Sequence, residues 1–336
     1  MNIKVNTNLP ITASPTTPIT KFAIAAAVIL VLFAVPFFVS GYRSFQIAQI
    51  MIYAIALLGL NLLTGYNGQL SLGHGAFFAI GGYATAVFIT QFVIPYWAVI
   101  PVAAVIGFIV GFLFGFPALR LGALYLALAT FSLALAVPQL LKYKKIAHIT
   151  GGVMGIMLQK PAVPAWLPIN QDQWLYIFTL LITLIMFLLV RNLLKSRMGR
   201  AIIAIRESEV AAKSSGINVA LVKSVTFGIS VMYTCVAGAL STILISFVNP
   251  DSFPLMLSIS LLTGVIVGGL ASIPGAIYGA IFISLIPNLA DYLSKSAPGA
   301  VYGACLMASV YFMPKGIHGL FRKIYDKLLR RKEVID

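Results

Sequence analysis

Long uncharged apolar runs alternate with short polar connections along almost the whole chain. No charge occurs between Arg43 and Arg120, and the stretches 22–42, 121–141, 173–190, 224–250, 252–290 and 296–314 are also charge-free. A bilayer leaves the backbone no outside hydrogen-bond partner, so a spanning segment is either a helix or part of a closed barrel. Barrel strands would alternate apolar and polar positions, whereas these runs are continuous and long enough for helices of about 20 residues. The pattern places spans at 22–40, 45–63, 70–90, 96–118, 121–141, 174–190, 225–248, 255–271, 275–291 and 297–313. The expected fold is an all-α polytopic membrane protein of about ten transmembrane helices, within a range of eight to ten.

Composition agrees: 60% of residues are hydrophobic and only 9% charged, where a soluble domain carries about a quarter charged. The net charge of +15 reads as topology, not as a nucleic-acid footprint. With the amino terminus inside, inner segments hold most of the 23 lysines and arginines, and outer ones hold only Arg43, Lys142, Lys144, Lys145, Lys160 and Lys295. This is the positive-inside bias, although the cluster at 142–145 runs against it. The first apolar segment has no small-residue cleavage site and is expected to be a retained helix. Three parts follow: a flexible cytoplasmic tail (1–20), a transmembrane domain (21–314) and a basic cytoplasmic tail (315–336), whose stretch 318–331 reads as an amphipathic helix on anionic lipid. Cys235 and Cys305 fall inside expected spans as small apolar residues, and no His/Cys cluster has metal-ligand spacing.

Glycines concentrate at 59–82 and 264–279. Small residues let membrane helices approach closely; the other reading is a broken or re-entrant helix lining a path. Polar Asn61, Thr64, Asn67, Gln69, Ser71 and His74 interleave with the first cluster and would be costly facing lipid. Asn61, Gln69, Ser71 and His74 are therefore the candidate path residues. Catalytic chemistry is not indicated, because His74, His148 and His318 are scattered and no nucleophile has a base at useful spacing. There is no GxxxxGK[ST] sequence to cradle ATP, no carboxylate deep in a span to relay protons, and no TVGYG-type filter. A transport protein of this kind is a passive channel or draws its energy from another subunit; a membrane scaffold is the remaining class.

The polar stretch 191–223 interrupts this pattern. It carries seven bases and two acids, Glu207 and Glu209, and is too polar for lipid and too short for a domain. Ser208 suits a helix N-cap and Gly216 a helix terminator, which predicts one or two short cytoplasmic helices. Ala211 and Ala212 are expected on one side, leaving room for another protein's surface. The candidate coupling residues are Arg206, Glu207, Glu209, Ala211, Ala212 and Gly216.

The order Glu209-x-Ala211-Ala212-x-x-x-Gly216 resembles the coupling loop of ABC importer permeases. More specifically, the chain resembles the branched-chain amino acid permease family, M-type subunits. The blocks that carry the likeness are 59–78 (GLNLLTGYNGQLSLGHGAFF), Leu119-Arg120-Leu121 with 125–130 (YLALAT), and Thr150-Gly151-Gly152 with Gly155. They continue with Gly199-Arg200-Ala201 and 204–209 (AIRESE), 249–253 (NPDSF), Gly268-Gly269 with Gly275 and Gly279, and 313–317 (MPKGI). They follow in family order over nearly all of the membrane region.

The resemblance implies a permease subunit in a bacterial cytoplasmic (inner) membrane, with both termini cytoplasmic. Its partners would be a second, H-type permease subunit, two ATPase subunits that bind and hydrolyse the ATP, and an external solute-binding protein. No cofactor would bind this chain, and the solute would be a branched-chain amino acid. Two departures stand out. Leu135 occupies a position where amino-acid-type members tend to carry glutamate, which keeps urea and short amides as an alternative. Ala271 and Ala276 stand where glycine and proline are usual.

Overall fold

The structure, a computed structural model, describes residues 18–118, 123–164 and 167–293, and beyond them 303–304, 307–308, 311 and 316–320. The expectations for 1–17, Arg120, Cys305, most of the span 297–313 and the basic tail past Leu320 lie outside the described residues. The helices are α1 (Pro18–Phe38), α2 (Gly41–Asn61), α3 (His74–Thr90), α4 (Tyr96–Ala118), α5 (Ala123–Leu141) and a one-turn α6 (Ala147–Thr150). They continue with α7 (Gln171–Lys195), α8 (Arg197–Glu207), α9 (Glu209–Ser214), α10 (Val219–Ile245), α11 (Leu255–Gly268) and α12 (Ile273–Leu293). A π-helical turn, Leu62–Tyr66, prolongs α2. A two-residue antiparallel ladder pairs β1 (Ile156–Met157) with β2 (Phe247–Val248), Ile156 opposite Val248.

Among the described residues, five stretches are long and apolar enough to cross a membrane: Gly41–Tyr66, Tyr96–Phe116, Gln171–Lys195, Val219–Ile245 and Pro250–Gly268. Shorter apolar helices are Ile29–Phe38, His74–Thr90, Tyr125–Leu141 and Ile273–Pro287. The chain is a mostly helical, polytopic membrane protein. Most expected boundaries move by a few residues, and two of these shifts matter for the site. α3 begins at His74 rather than 70, and α11 stops at Gly268 rather than 271. Charge-free sequence continues past both points, but the helix does not. At 1.5 Å per residue, the 14 residues of α11 reach about 21 Å, short of a hydrocarbon core of about 30 Å.

α10 is the hub, packed along α4, α3 and α2. Phe227, Val231, Tyr233, Ala237 and Leu240 are buried along it. On α4, Gly107, Gly111 and Gly115 face Cys235, Val231 and Phe227 in turn; a Cβ on Gly107 would lie 2.7 Å from that of Cys235. This stripe of glycines at every fourth position lets the two backbones close up. The outer helices turn long apolar side chains outward, Leu113, Leu128 and Leu188 among them, as a lipid-facing surface does. Pro36 in α1 has no N–H for the carbonyl of Leu32, and the Tyr176 hydroxyl on α7 donates to that carbonyl at 3.1 Å.

Because α7 and α10 run the full height, the bundle has two distinct ends. One holds the small ladder, α6 and the ion pairs Lys142–Asp251 and Lys160–Asp172. The other holds α8 and α9.

Candidate functional site

The polar stretch is more helical than its charge suggests. α7 continues through Arg191 to Lys195, and α10 starts at Val219, so the free loop narrows to 196–218. The Ser196 side chain accepts from the Gly199 amide at 3.3 Å and starts α8. α8 is amphipathic: Ile202 and Ile205 are buried, whereas Arg197, Arg200, Arg206 and Glu207 are exposed. Ser208 is extended (φ −161°, ψ 114°) and caps α9 by accepting from the Ala211 amide, as its residue type predicted. α9 ends in a Schellman motif. The Ile217 amide donates to the Ala212 carbonyl and the Gly216 amide to the Lys213 carbonyl, both at 3.1 Å. Gly216 has φ +81°, a conformation that glycine adopts without a Cβ penalty.

One expectation is corrected here. Ala211 is exposed and Ala212 is 3% exposed, so the two alanines do not share a face; successive helix residues point about 100° apart. The outward surface therefore comprises Arg206, Glu207, Glu209, Ala211 and Gly216, with Ala212 as the inward anchor of α9. Sequence reasoning missed Val210, which is 81% exposed at the centre of this surface. An apolar residue following Glu209 in so polar a stretch was the available signal. Lys223 on α10 pairs with Glu209. Beside this pair, Val210, Lys213, Ile217, Asn218 and Ala220 line a cleft of about 540 Å³.

The four candidate path residues sit where α2 gives way to α3. Residues 67–73 are irregular and buried largely by this chain's own helices, the setting in which non-helical backbone is tolerated at membrane depth. Asn61 reaches to the turn between α11 and α12: its Nδ2 donates to the Ser272 carbonyl at 2.8 Å, and its Oδ1 accepts from the Ala271 amide at 2.9 Å. His74 sits between two hydroxyls, Ser71 Oγ at 3.0 Å from Nδ1 and Ser230 Oγ at 2.8 Å from Nε2. Ser230 Oγ donates onward to the Gly59 carbonyl at 2.7 Å. It must therefore accept from His74, which fixes the proton on Nε2 and leaves Nδ1 to accept from Ser71.

Hydroxyls from two other helices, α5 and α11, and one from the segment itself hold the amides here. Leu72 N donates to Thr130 Oγ1 at 3.0 Å and Gly75 N to Ser258 Oγ at 2.9 Å, while Gly73 N reaches Ser71 Oγ at 3.4 Å. Gln69 is buried, with its amide bonded to the Leu63 carbonyl at 3.1 Å. The segment also touches the loop. α8 packs on the π turn, and a Cβ on Gly68 (φ +75°) would lie 3.5 Å from Cγ of Arg206. The structure thus brings the two sets of candidates to one end of the bundle, with Asn61 and His74 above and Arg206 below. Of the residues departing from the family pattern, Leu135 is half exposed on α5, and Ala271 sits at φ +57°, where glycine carries no penalty. No group of three His, Cys, Asp or Glu that could hold a metal occurs among the described residues.

A polytopic helical bundle with half-length helices beside full ones, and a capped, charged two-helix loop at one end, has the layout of a membrane permease subunit. The family model for the branched-chain amino acid transport system permease component matches residues 42–310. The chain belongs to this family. It is 31% identical over 320 residues to the high-affinity branched-chain amino acid transport system permease protein LivM of Salmonella typhimurium, covering 88% of this chain and 74% of that one. With LivM of Escherichia coli K12 the figures are 32% over 325 residues, 90% and 75%. With the LivH permease of Salmonella typhimurium they are 25% over 284 residues, 80% and 91%. No solved structure matches.

Proposed function

We infer that this chain is one transmembrane subunit of an ATP-driven importer that carries branched-chain amino acids across a bacterial cytoplasmic membrane. The observation that carries the mechanism is the contact of α8 with the π turn and Gly68: the surface offered to a partner is one residue away from the break in the membrane helices. The chain has no P-loop of its own, so two separate ATPase subunits dock on Arg206, Glu207, Glu209, Ala211 and Gly216. Their closure moves 196–218, and the loop moves the break between outward- and inward-open arrangements.

The end with α8 and α9 faces the cytoplasm, as do both termini. The opposite end, where Lys144 and Lys145 are exposed, receives the external binding protein, and this role accounts for bases lying against the positive-inside rule. A second permease subunit of the LivH kind completes the pair. Asn61, Ser71 and His74, whose hydrogen-bonding groups already have partners, shape the path by holding 67–73 in place, and Gln69 belongs to the same wall.

Reconstitution into liposomes tests this reading. Uptake of leucine, isoleucine or valine should require the binding protein, both permeases, the ATPases and ATP together. Uptake that survives inactivation of the ATPases would make the chain a passive channel. Urea and short amides are the second reading, carried by Leu135 alone, and competition of leucine uptake by urea would support them.

A further inference from the structure

Most threonines in the helices of this chain share a habit; Thr130, which bonds three residues back, and Thr85 of α3, whose hydroxyl has no partner among the described residues, are exceptions. The hydroxyls of Thr90, Thr179, Thr183, Thr226, Thr234 and Thr263 each donate to the carbonyl four residues back. Thr64 departs from it. Its Oγ1 is buried and has no hydrogen-bond partner among the described residues. The cause is local: Thr64 lies in the π turn Leu62–Tyr66, where the backbone ladder steps by five residues instead of four, and its donor is out of register with the carbonyl of Leu60.

Asn67, the first residue after the turn, shows the same thing more strongly. It is 3% exposed, and both Oδ1 and Nδ2 lack partners among the described residues. Its own chain encloses it, so a docked subunit cannot reach the amide while this arrangement lasts. A buried polar group left unpaired costs its full desolvation, and three such atoms within four residues weigh against the state that contains them. The flanks, by contrast, are fixed. Asn61 is clamped to Ala271 and Ser272, and His74 to Ser71 and Ser230. The unsettled part is therefore confined to 62–70, and Gly68, within it, abuts Arg206 of α8.

We propose that Leu62–Tyr66 is a register switch, π-helical in the present state and α-helical in the other, thrown by α8 through Gly68. Rewinding the turn places the Thr64 hydroxyl on the carbonyl of Leu60. It also removes one residue's worth of slack, which turns Asn67 by about 100° and shifts it by about 1.5 Å, out of its present enclosure and toward the translocation path. Thr64 and Asn67 are positioning residues: unpaired here and paired in the other state, they keep the present state from being a trap. This rests on the reading that the ATPases act through α8.

The test uses the complete importer in proteoliposomes, with Thr64→Val and Asn67→Leu made separately. Both remove unpaired polar atoms while nearly keeping shape, so each should raise the melting temperature of the nucleotide-free complex, by about 2 °C or more. Each should also lower ATP-driven leucine uptake tenfold or more without changing the apparent affinity for the loaded binding protein. Amide exchange across 62–68 in the unaltered importer should differ between the nucleotide-free and ATP-trapped forms. A lower melting temperature in both variants would mean the groups have partners, and unaltered uptake would mean the turn does not switch; either overturns the proposal. If the unaltered importer itself shows no ATP-driven uptake, it is the importer reading that fails.

Discussion

In the α11–α12 hairpin, Gly264, Gly268, Gly275 and Gly279 face one another, and a Cβ on Gly268 would overlap the Gly275 carbonyl. Both helices stay regular up to the hairpin turn, and aliphatic side chains such as Val265, Val267 and Ile283 fill the remaining space. The α2–α3 junction is just as rich in glycine and equally close to its neighbours: a Cβ on Gly81 would overlap the Cys235 carbonyl. Yet there the helix breaks for seven residues. The difference lies in the side chains between the glycines. Asn61, Ser71 and His74 at the junction, together with Thr130, Ser230 and Ser258 from its neighbours, can replace the lost backbone partners, whereas the hairpin glycines meet mainly backbone and aliphatic side chains. Glycine alone zips helices together; glycine with hydrogen-bonding side chains allows a break at membrane depth. The two regions are also joined, since Asn61 holds the turn of the hairpin.

Three substitutions probe this difference, from the largest effect to the smallest. Gly268→Leu should abolish the folded protein, because overpacking alone costs about 1–3 kcal/mol and here the obstruction is backbone that cannot give way; loss of the monodisperse peak in detergent would show it. Asn61→Ala should destabilise by about 2 kcal/mol, since it leaves the buried Ser272 carbonyl and the part-buried Ala271 amide unpaired, and a melting curve measures it. Ala271→Gly should stabilise by about 1 kcal/mol by relieving the left-handed alanine. If Ala271→Gly destabilised instead, the turn would not be strained, and the clamp by Asn61 would carry less than assigned here.

Much of the architecture was legible in the sequence because lipid imposes it. Charge-free runs located the apolar helices among the described residues, and the cap at Ser208 and the stop at Gly216 were readable because both act over a few residues. What escaped was decided at a distance. The start of α3 and the end of α11 lie inside charge-free sequence, and the bond from Asn61 to the Ser272 carbonyl spans 211 positions. The opposite facing of Ala211 and Ala212 follows from helix geometry once α9 has boundaries, which composition does not give. The stripe Gly107, Gly111 and Gly115 shows in the sequence only as a four-residue spacing, outside the glycine-dense segments 59–82 and 264–279. The path candidates were chosen by residue type alone; that Asn61 and His74 have partners, and the Asn67 side chain none among the described residues, was not readable.

The central claim is that an outside partner drives the break in α2–α3 through the surface of α9. Ala211 tests it most directly, because it is exposed and its replacement disturbs no packing within the chain. In a reconstituted importer, Ala211→Arg should leave insertion and melting temperature unchanged, within about 0.5 kcal/mol, while ATP-dependent leucine uptake falls at least tenfold and the ATPases no longer co-purify. Uptake at the unaltered rate, with the ATPases still bound, would contradict the account.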